Sequence, residues 1–177
     1  MVKKHVKGLV LLGNQQAEIR EFEVSEPGPG EVLLRIEAAG ICGSDLHFYQ
    51  STPEVLDIRR GVVIGHEPSG VIEAVGPCVR HLQVGDRVTV NHTLGCGHCE
   101  YCRAGETVLC TENLGIAASG YGGNAEYTLM PAENCLPLLD ALSFIEGTFL
   151  ACTGATAYNA LRKLAPSGRT RLAVIGL

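Results

Sequence analysis

Short runs of β-branched and aliphatic residues, separated by glycine and proline, dominate the first three quarters of the chain. Such runs lie at 31–40, 69–76, 84–91 and 125–130. Runs of this length between turn residues are typical of strands, and their frequent repetition favours an antiparallel barrel or sandwich. The segments EPGPGE and VGPC supply turns, because proline fixes φ and glycine tolerates positive φ. The sequence therefore predicts a mainly β domain over residues 1–140.

The hydrophobic period changes beyond this β-rich part. Ser143 followed by Glu146 is a capping-box pattern, and apolar residues then recur near helical spacing. This pattern predicts two short helices, or one interrupted helix, from about 143 to 165. The closing run RLAVIGL, residues 171–177, has the continuous apolar character of a strand buried on both faces of a parallel sheet. A second domain of βα type is therefore predicted to begin within residues 141–177.

Composition narrows the class of protein. The chain has 177 residues, a formal net charge of −5 and no basic cluster beyond Lys3, Lys4 and Lys7, which argues against nucleic acid as a partner. No apolar stretch reaches the roughly 18 residues that a membrane-spanning helix needs, so no membrane association is expected. The start MVKKHVKGLVLLGNQQ lacks the pattern of a secretory signal peptide. We therefore expect a cytoplasmic protein.

Four of the eight cysteines cluster in one short segment, with the spacing CxxCxxCx7C. They are Cys96, Cys99, Cys102 and Cys110. Four thiolates at such spacing are typical of a closed structural zinc site, which stabilises the fold and leaves no position for substrate. An iron–sulfur cluster, a redox CxxC pair and plain buried cysteines are the alternatives, although ferredoxins have a shorter final gap. Cys78 and Cys135 stand apart, and we predict that each is a small buried hydrophobic residue.

A second set of possible metal ligands is scattered along the chain. It comprises Cys42 in GICGSDLH, His66 and Glu67 in GHEPSG, and Cys152 in LACTGATAY. Each residue alone has an ordinary structural explanation. Together they matter, because a catalytic zinc needs about three protein ligands and one open position, and a Cys2His set supplies them.

These motifs carry a family resemblance. GICGSDLH, GHEPSGVIEAVG, VGDRV, the four-cysteine segment and the final VIGL follow the order found in zinc-dependent medium-chain alcohol and polyol dehydrogenases, which the chain resembles over nearly its whole length. The resemblance implies a GroES-like β-barrel catalytic domain with a structural zinc lobe at 92–115. It also implies linker helices and the first strand of an incomplete Rossmann domain. Gly176 resembles the first glycine of the dinucleotide-binding fingerprint.

The same resemblance assigns the ligands of the catalytic zinc. Cys42, His66 and Cys152 match the three ligands, a Cys2His set of the kind known from alcohol dehydrogenases. Glu67 matches a carboxylate that replaces or exchanges with a ligand in some members. Asp45 matches a second carboxylate that orients the zinc-binding imidazole, as expected because a ligating histidine usually donates its other N–H. Without the resemblance, Asp45 would be a surface carboxylate in a short helix.

Four further residues match functional positions of the family. Ser44 resembles the hydroxyl that relays the alcohol proton, and His47 would pass that proton to solvent. His92 matches a substrate-pocket position, and Thr156 matches a position that contacts the nicotinamide. The alternative is that Ser44 caps the short helix SDLHFYQ and that His47 is simply an exposed side chain.

The expected function is oxidation of a primary, secondary or polyol alcohol to a carbonyl compound by hydride transfer to NAD or NADP. We expect two Zn²⁺ ions per chain, one catalytic and one structural, and no activity from these 177 residues alone. The complete enzyme is expected to be a homo-oligomer. Substrate cues conflict, because GICGSDLHFY and GHEPSG resemble polyol and threonine dehydrogenases whereas Cys152 resembles the ligand of alcohol dehydrogenases. The alternative is a stand-alone zinc-stabilised β-domain that acts as a binding or structural module.

Overall fold

Antiparallel strands pair along most of the chain in the computed structural model, which describes residues 4–56, 63–116 and 122–175. The strands are β1 (Lys4–Gly13), β2 (Gln16–Val24), β3 (Glu31–Gly40), β4 (Glu67–Val75), β5 (Arg87–Val90), β6 (Thr93–Leu94), β7 (Leu114–Gly115), β8 (Tyr127–Pro131) and β9 (Cys135–Pro137). The helices are α1 (Gly43–Gln50), α2 (Glu100–Arg103), α3 (Phe144–Phe149) and α4 (Ala155–Leu164). The predicted mainly β fold with a few helices is confirmed.

The central sheet has five strands in the order β8-β3-β4-β5-β9, all antiparallel to their neighbours. Strands β1 and β2 form a separate hairpin, whose two-residue loop Asn14 and Gln15 has positive φ at both positions. Such a loop matches the twist of the flanking strands. Isolated bridges from Gly8 to Ala125 and from Val10 to Val63 join the hairpin to the rest of the domain. These bridges attach the hairpin to the segments that precede β8 and β4.

The main core fills one face of the central sheet. Its fully buried members include Val32, Leu34, Ile72, Val88 and Met130, which come from four different strands. A smaller cluster of Leu11, Leu56 and Ile64 packs under α1 with Phe48 and Tyr49. These two apolar clusters pack against the strands and the helix that lie next to the candidate ligands.

The predicted helical segment from 143 to 165 is interrupted by a π-helical turn. Helix α3 ends at Phe149, residues 150–154 form the π-helical turn, and α4 begins at Ala155. The Thr89 hydroxyl donates a hydrogen bond of 2.7 Å to the carbonyl of Gly147, which ties α3 to the central sheet. Single π-helical turns occur often at functional sites, and this one contains Cys152.

The predicted strand at the end of the chain is absent from residues 171–175. The side chains of Leu172, Val174 and Ile175 are 54%, 73% and 97% exposed, and these residues lie in no strand. A parallel strand forms only beside a neighbouring strand, and no described strand pairs with this segment. Gly176 lies outside the described residues.

The capping box at the start of α3 yields a prediction on pH. The amide and hydroxyl of Ser143 donate to the Glu146 carboxylate at 2.7 and 2.8 Å, and these bonds lower the pKa of Glu146 below its usual value of 4.5. Because the folded-state pKa is the lower one, the carboxylate stabilises the fold above about pH 4.5 and loses this effect as pH falls through the folded-state pKa. We expect the free energy of unfolding of Glu146→Gln to fall less than that of wild type between about pH 5 and pH 3.

Chemical denaturation of wild type and Glu146→Gln at several pH values in this window measures the effect. Glu21→Gln, on the exposed strand β2, is the matched control and should keep the wild-type pH dependence. Equal pH dependence in wild type and Glu146→Gln would show that the cap contributes nothing.

Candidate functional site

Four cysteines meet in a lobe at one end of the domain. The sulfur atoms of Cys96, Cys99, Cys102 and Cys110 all lie within 4.8 Å of one another. Backbone amides point at them: the amide of Cys99 lies 3.3 Å from Cys96 Sγ, and that of Cys102 lies 3.4 Å from Cys99 Sγ. Hydrogen bonds from amides favour thiolates, and those of His98 and Cys99 lower the pKa of Cys96 to about 6.

Local structure explains how one short segment gathers these sulfurs. Gly97 and Gly105 have φ values of +77° and allow two sharp turns. Helix α2 begins after Cys99, and the pairing of β6 with β7 brings the two ends of the lobe together. Four sulfurs at these separations fit one tetrahedral zinc ion.

A second cluster lies near the ends of the central strands. It brings together Cys42, His66, Glu67 and Cys152, whose ligand atoms also lie within 4.8 Å of one another. The two sulfurs, Cys42 Sγ and Cys152 Sγ, are 3.9 Å apart. The fold thus assembles all four scattered residues that the sequence singled out.

Asp45 lies behind the second cluster and contacts two of its members. Its carboxylate accepts a hydrogen bond of 2.8 Å from the amide of Cys42 and lies 3.4 Å from Nδ1 of His66. This contact raises the pKa of His66 to about 9. Asp45 is only 6% exposed. A buried carboxylate at Nδ1 fixes the imidazole and leaves Nε2 free for a metal ion.

Glu67 supplies a buried oxygen that lacks a partner. Among the described residues, no hydrogen bond reaches its Oε1. Gly40 makes the space for this side chain, because a Cβ at that position would collide with Glu67 Oε2. A buried carboxylate oxygen without a partner is costly unless a cation balances it. Two thiols, an imidazole and this orphaned oxygen therefore fit a zinc ion.

Cys42 and Cys152 differ in their surroundings. The Ser44 amide, with help from its hydroxyl, lowers the pKa of the Cys42 thiol. Burial raises the pKa of Cys152 to about 12, and the neighbouring Glu67 adds to the effect. Without metal, the Cys42 thiol therefore loses its proton more readily than the Cys152 thiol does. A divalent cation would displace the remaining protons, as metal binding to thiols generally does.

His92 and Thr156 face a common cleft beside this cluster. The cleft, of about 340 Å³, lies between the zinc lobe and α4. His92 Nδ1 is 3.2 Å from the carbonyl of Ala151, its ring centroid is 5.6 Å from that of His66, and burial lowers its pKa. An ion pair of 2.6 Å between Arg162 and Glu106 joins α4 to the lobe at the edge of this cleft.

Ser44 and His47 lie on α1, immediately after Cys42. The Ser44 hydroxyl contacts the Cys42 sulfur, and His47 is three residues further along the helix. Both side chains are exposed. The helix cap is formed by Cys42 with Asp45, so the alternative reading of Ser44 as the cap is wrong.

The prediction for the two separate cysteines is half right. Cys135 is buried at 2% exposure, and burial raises its pKa to about 12. Cys78 is exposed and has a φ of +70°. It lies directly after Gly76 and Pro77 in a turn that is exposed to solvent. The VGPC motif already signalled the turn but not the exposure.

Sequence reasoning missed the ion pair between Glu106 and Arg162 and the role of Asn134. Asn134 is 7% exposed and donates from its amide nitrogen to the carbonyls of Asn91 and Thr93, both at 2.8 Å. No local pattern signals either feature, because the partners are at least 41 positions apart.

Comparison with known proteins places this geometry in a family. Residues 28–140 match the alcohol dehydrogenase GroES-like domain. The chain is 40% identical over 176 residues to the uncharacterized zinc-type alcohol dehydrogenase-like protein YphC of Escherichia coli K12. This alignment covers 94% of this chain and 50% of YphC. The chain is also 38% identical over 161 residues to an alcohol dehydrogenase of Geobacillus stearothermophilus, covering 90% and 48% of the two chains.

A solved structure agrees with the sequence relatives. The crystal structure of the short chain alcohol dehydrogenase RspB from E. coli CFT073, complexed with NADH, superimposes with a TM-score of 0.81 and 34% identity, over 92% of this chain and 47% of RspB. The chain thus spans about half the length of the curated relatives it matches. With its two ligand clusters and its GroES-like domain, this chain belongs to the zinc-dependent medium-chain alcohol dehydrogenase family.

Proposed function

We propose that this chain is the catalytic part of an enzyme that oxidises an alcohol to a carbonyl compound with NAD or NADP. The second cluster carries the proposal: two thiols, an imidazole and a buried carboxylate converge, with Asp45 behind His66 and Ser44 beside Cys42. The reaction converts alcohol and NAD(P)⁺ into carbonyl compound, NAD(P)H and one proton. A stand-alone binding module would need only the four-cysteine cluster and leaves the second cluster unexplained.

Cys42, His66 and Cys152 would hold the catalytic zinc, with Glu67 as an alternative ligand, and the four cysteines of the lobe would hold the structural zinc. A zinc ion at the catalytic site would stabilise negative charge on the alcohol oxygen, and hydride then leaves more readily from the carbon that bears this oxygen. Asp45 holds the His66 imidazole in the orientation that a metal requires.

Ser44 and His47 would remove the proton of the alcohol. The Ser44 hydroxyl borders the cluster, so it can accept this proton while giving its own to the next group. His47 lies one helical turn further and is exposed, so it can return the proton to solvent. His92, whose pKa burial lowers, would line the substrate side of the cleft, and Thr156 would contact the nicotinamide.

Removal of the Ser44 hydroxyl tests this relay. Ser44→Ala in the complete gene product should lower turnover by about 10²- to 10⁴-fold, which is the usual contribution of general acid–base catalysis. Zinc content should stay unchanged. Ser44→Thr keeps a hydroxyl at the same place and serves as the control, with turnover near wild type. Full activity of Ser44→Ala would remove Ser44 from the mechanism.

We also propose that residues 141–177 connect the catalytic domain to an NAD(P)-binding domain. The apolar side chains of Tyr158, Leu161 and Leu164 on α4 are 70%, 43% and 61% exposed, which supports a further packing partner.

Among the described residues, no helix is long and apolar enough to cross a membrane. None of the eight cysteines forms a disulfide in the described structure, and we propose a reducing, cytoplasmic location. A homo-oligomeric complete enzyme remains part of the proposal.

A further inference from the structure

Asn134 joins two segments of the chain that are far apart in sequence. It ends the 3₁₀ turn Ala132–Asn134, before β9, and its side chain is 7% exposed. Its amide nitrogen donates hydrogen bonds of 2.8 Å to the carbonyls of Asn91 and Thr93. Its own backbone carbonyl accepts a bond of 2.8 Å from the amide of Asn91. Three hydrogen bonds thus fix one short stretch of backbone.

The residue at the centre of that stretch is His92. The two carbonyls bound by Asn134 belong to the residues on either side of it, so the backbone of His92 is held from both directions. The His92 carbonyl in turn accepts a bond of 3.0 Å from the amide of Ile116, where the chain leaves the zinc lobe. The His92 ring then reaches the carbonyl of Ala151 at 3.2 Å and lies 5.6 Å from the ring of His66.

The primary amide of Asn134 satisfies this arrangement. It provides two N–H donors in one plane, and here both point at backbone carbonyls. An aspartate of the same shape would present a carboxylate to two carbonyl oxygens, and a serine could pair with one of them at most. In either variant, at least one of the carbonyls of Asn91 and Thr93 would lose its hydrogen-bond partner. Because the site is buried, this loss would destabilise the local backbone.

We propose that Asn134 is a positioning residue that fixes His92 at the wall of the substrate cleft. Asn134 acts through the backbone of His92. The functional meaning of this clamp rests on the proposed function, in which His92 lines the substrate cleft. The clamp itself is a property of the 177-residue chain and can be measured without alcohol or cofactor.

Amide hydrogen exchange and histidine ring NMR signals of the zinc-loaded chain test the clamp. In Asn134→Asp, the Ile116 amide should exchange roughly tenfold faster relative to the Gly76 amide, which bonds to Glu31 in a remote turn. The ring signals of His92 should move, while those of His5 on β1 stay in place. Asn134→Ser should change both readouts in the same direction by a smaller amount, and it carries the test if the aspartate variant does not fold.

Ser69→Ala is the matched control. Ser69 is fully buried and its hydroxyl donates to the carbonyl of Val88 at 3.0 Å, in the central sheet. Its loss should speed exchange of the Ile116 and Gly76 amides by similar factors and leave the His92 ring signals unmoved. If the Asn134 variants behave like this control, Asn134 is only a structural residue. A complete enzyme without dehydrogenase activity would overturn the proposed function and leave these measurements intact.

Discussion

Replacing Cys99 with serine should destabilise the domain by more than about 4 kcal/mol, because loss of a structural metal is among the most costly single changes. A serine hydroxyl is a poor substitute for a thiolate ligand of zinc. Cys99 also contributes beyond its ligand role, since its sulfur accepts the Cys102 amide at the start of α2. The free energy of unfolding from denaturant titration, measured together with zinc content, gives the result.

Cys78→Ser is the control for this change. It removes an exposed thiol that belongs to neither cluster, and we expect a change within about 0.5 kcal/mol, as for most surface substitutions. Treatment of wild type with a strong chelator should reproduce the loss seen in Cys99→Ser. A Cys99→Ser domain as stable as wild type would mean that the four-cysteine cluster holds no structural metal.

His66→Ala should remove one zinc ion per chain while the other stays in the cysteine lobe. The core of the sheet does not depend on His66, so the domain should remain folded with a loss of about 1–3 kcal/mol, because the buried Asp45 carboxylate loses a partner. Turnover by the complete gene product should fall at least about 10³-fold, which corresponds to about 4 kcal/mol of transition-state stabilisation. Elemental analysis and steady-state kinetics measure the two effects.

His5→Ala provides the comparison. His5 is exposed on β1, its Nε2 lies 3.9 Å from the Glu23 carboxylate, and it belongs to neither cluster. Zinc content and turnover should therefore stay at wild-type values. Loss of both zinc ions, or unfolding, in His66→Ala would contradict the assignment of separate structural and catalytic sites.

Sequence patterns predicted the elements whose signals are local. Strand β3 was expected at 31–40 and lies there, because glycine and proline bound an uninterrupted β-prone run. The helix start at Ser143 was expected from its capping box, which the structure contains. The hairpin of β1 and β2 was not singled out, since β2 is exposed on almost every side chain and shows no alternation of buried and exposed positions.

The two metal clusters also differ in how local their sequence signals are. The four-cysteine site follows from spacing, because its ligands lie within one short segment. The second site joins Cys42 to Cys152 across 110 positions, so residue types only suggested the set, and the family resemblance assigned its members before the fold was known. Cys78 and Asn134 were missed because the exposure of the one and the partners of the other depend on tertiary packing.

Because Cys78 is exposed, the number of thiols that react with a dye can report how many metal ions the chain holds. Of the eight cysteines, six belong to the two clusters, Cys135 is buried, and Cys78 alone is exposed. With both clusters filled, a maleimide dye should label one thiol quickly and leave the others unreacted, since bound and buried thiols react slowly. Each emptied cluster would then add its own set of labelled sulfurs. The stoichiometry of labelling, read by mass spectrometry, would show which of the two centres has lost its ion.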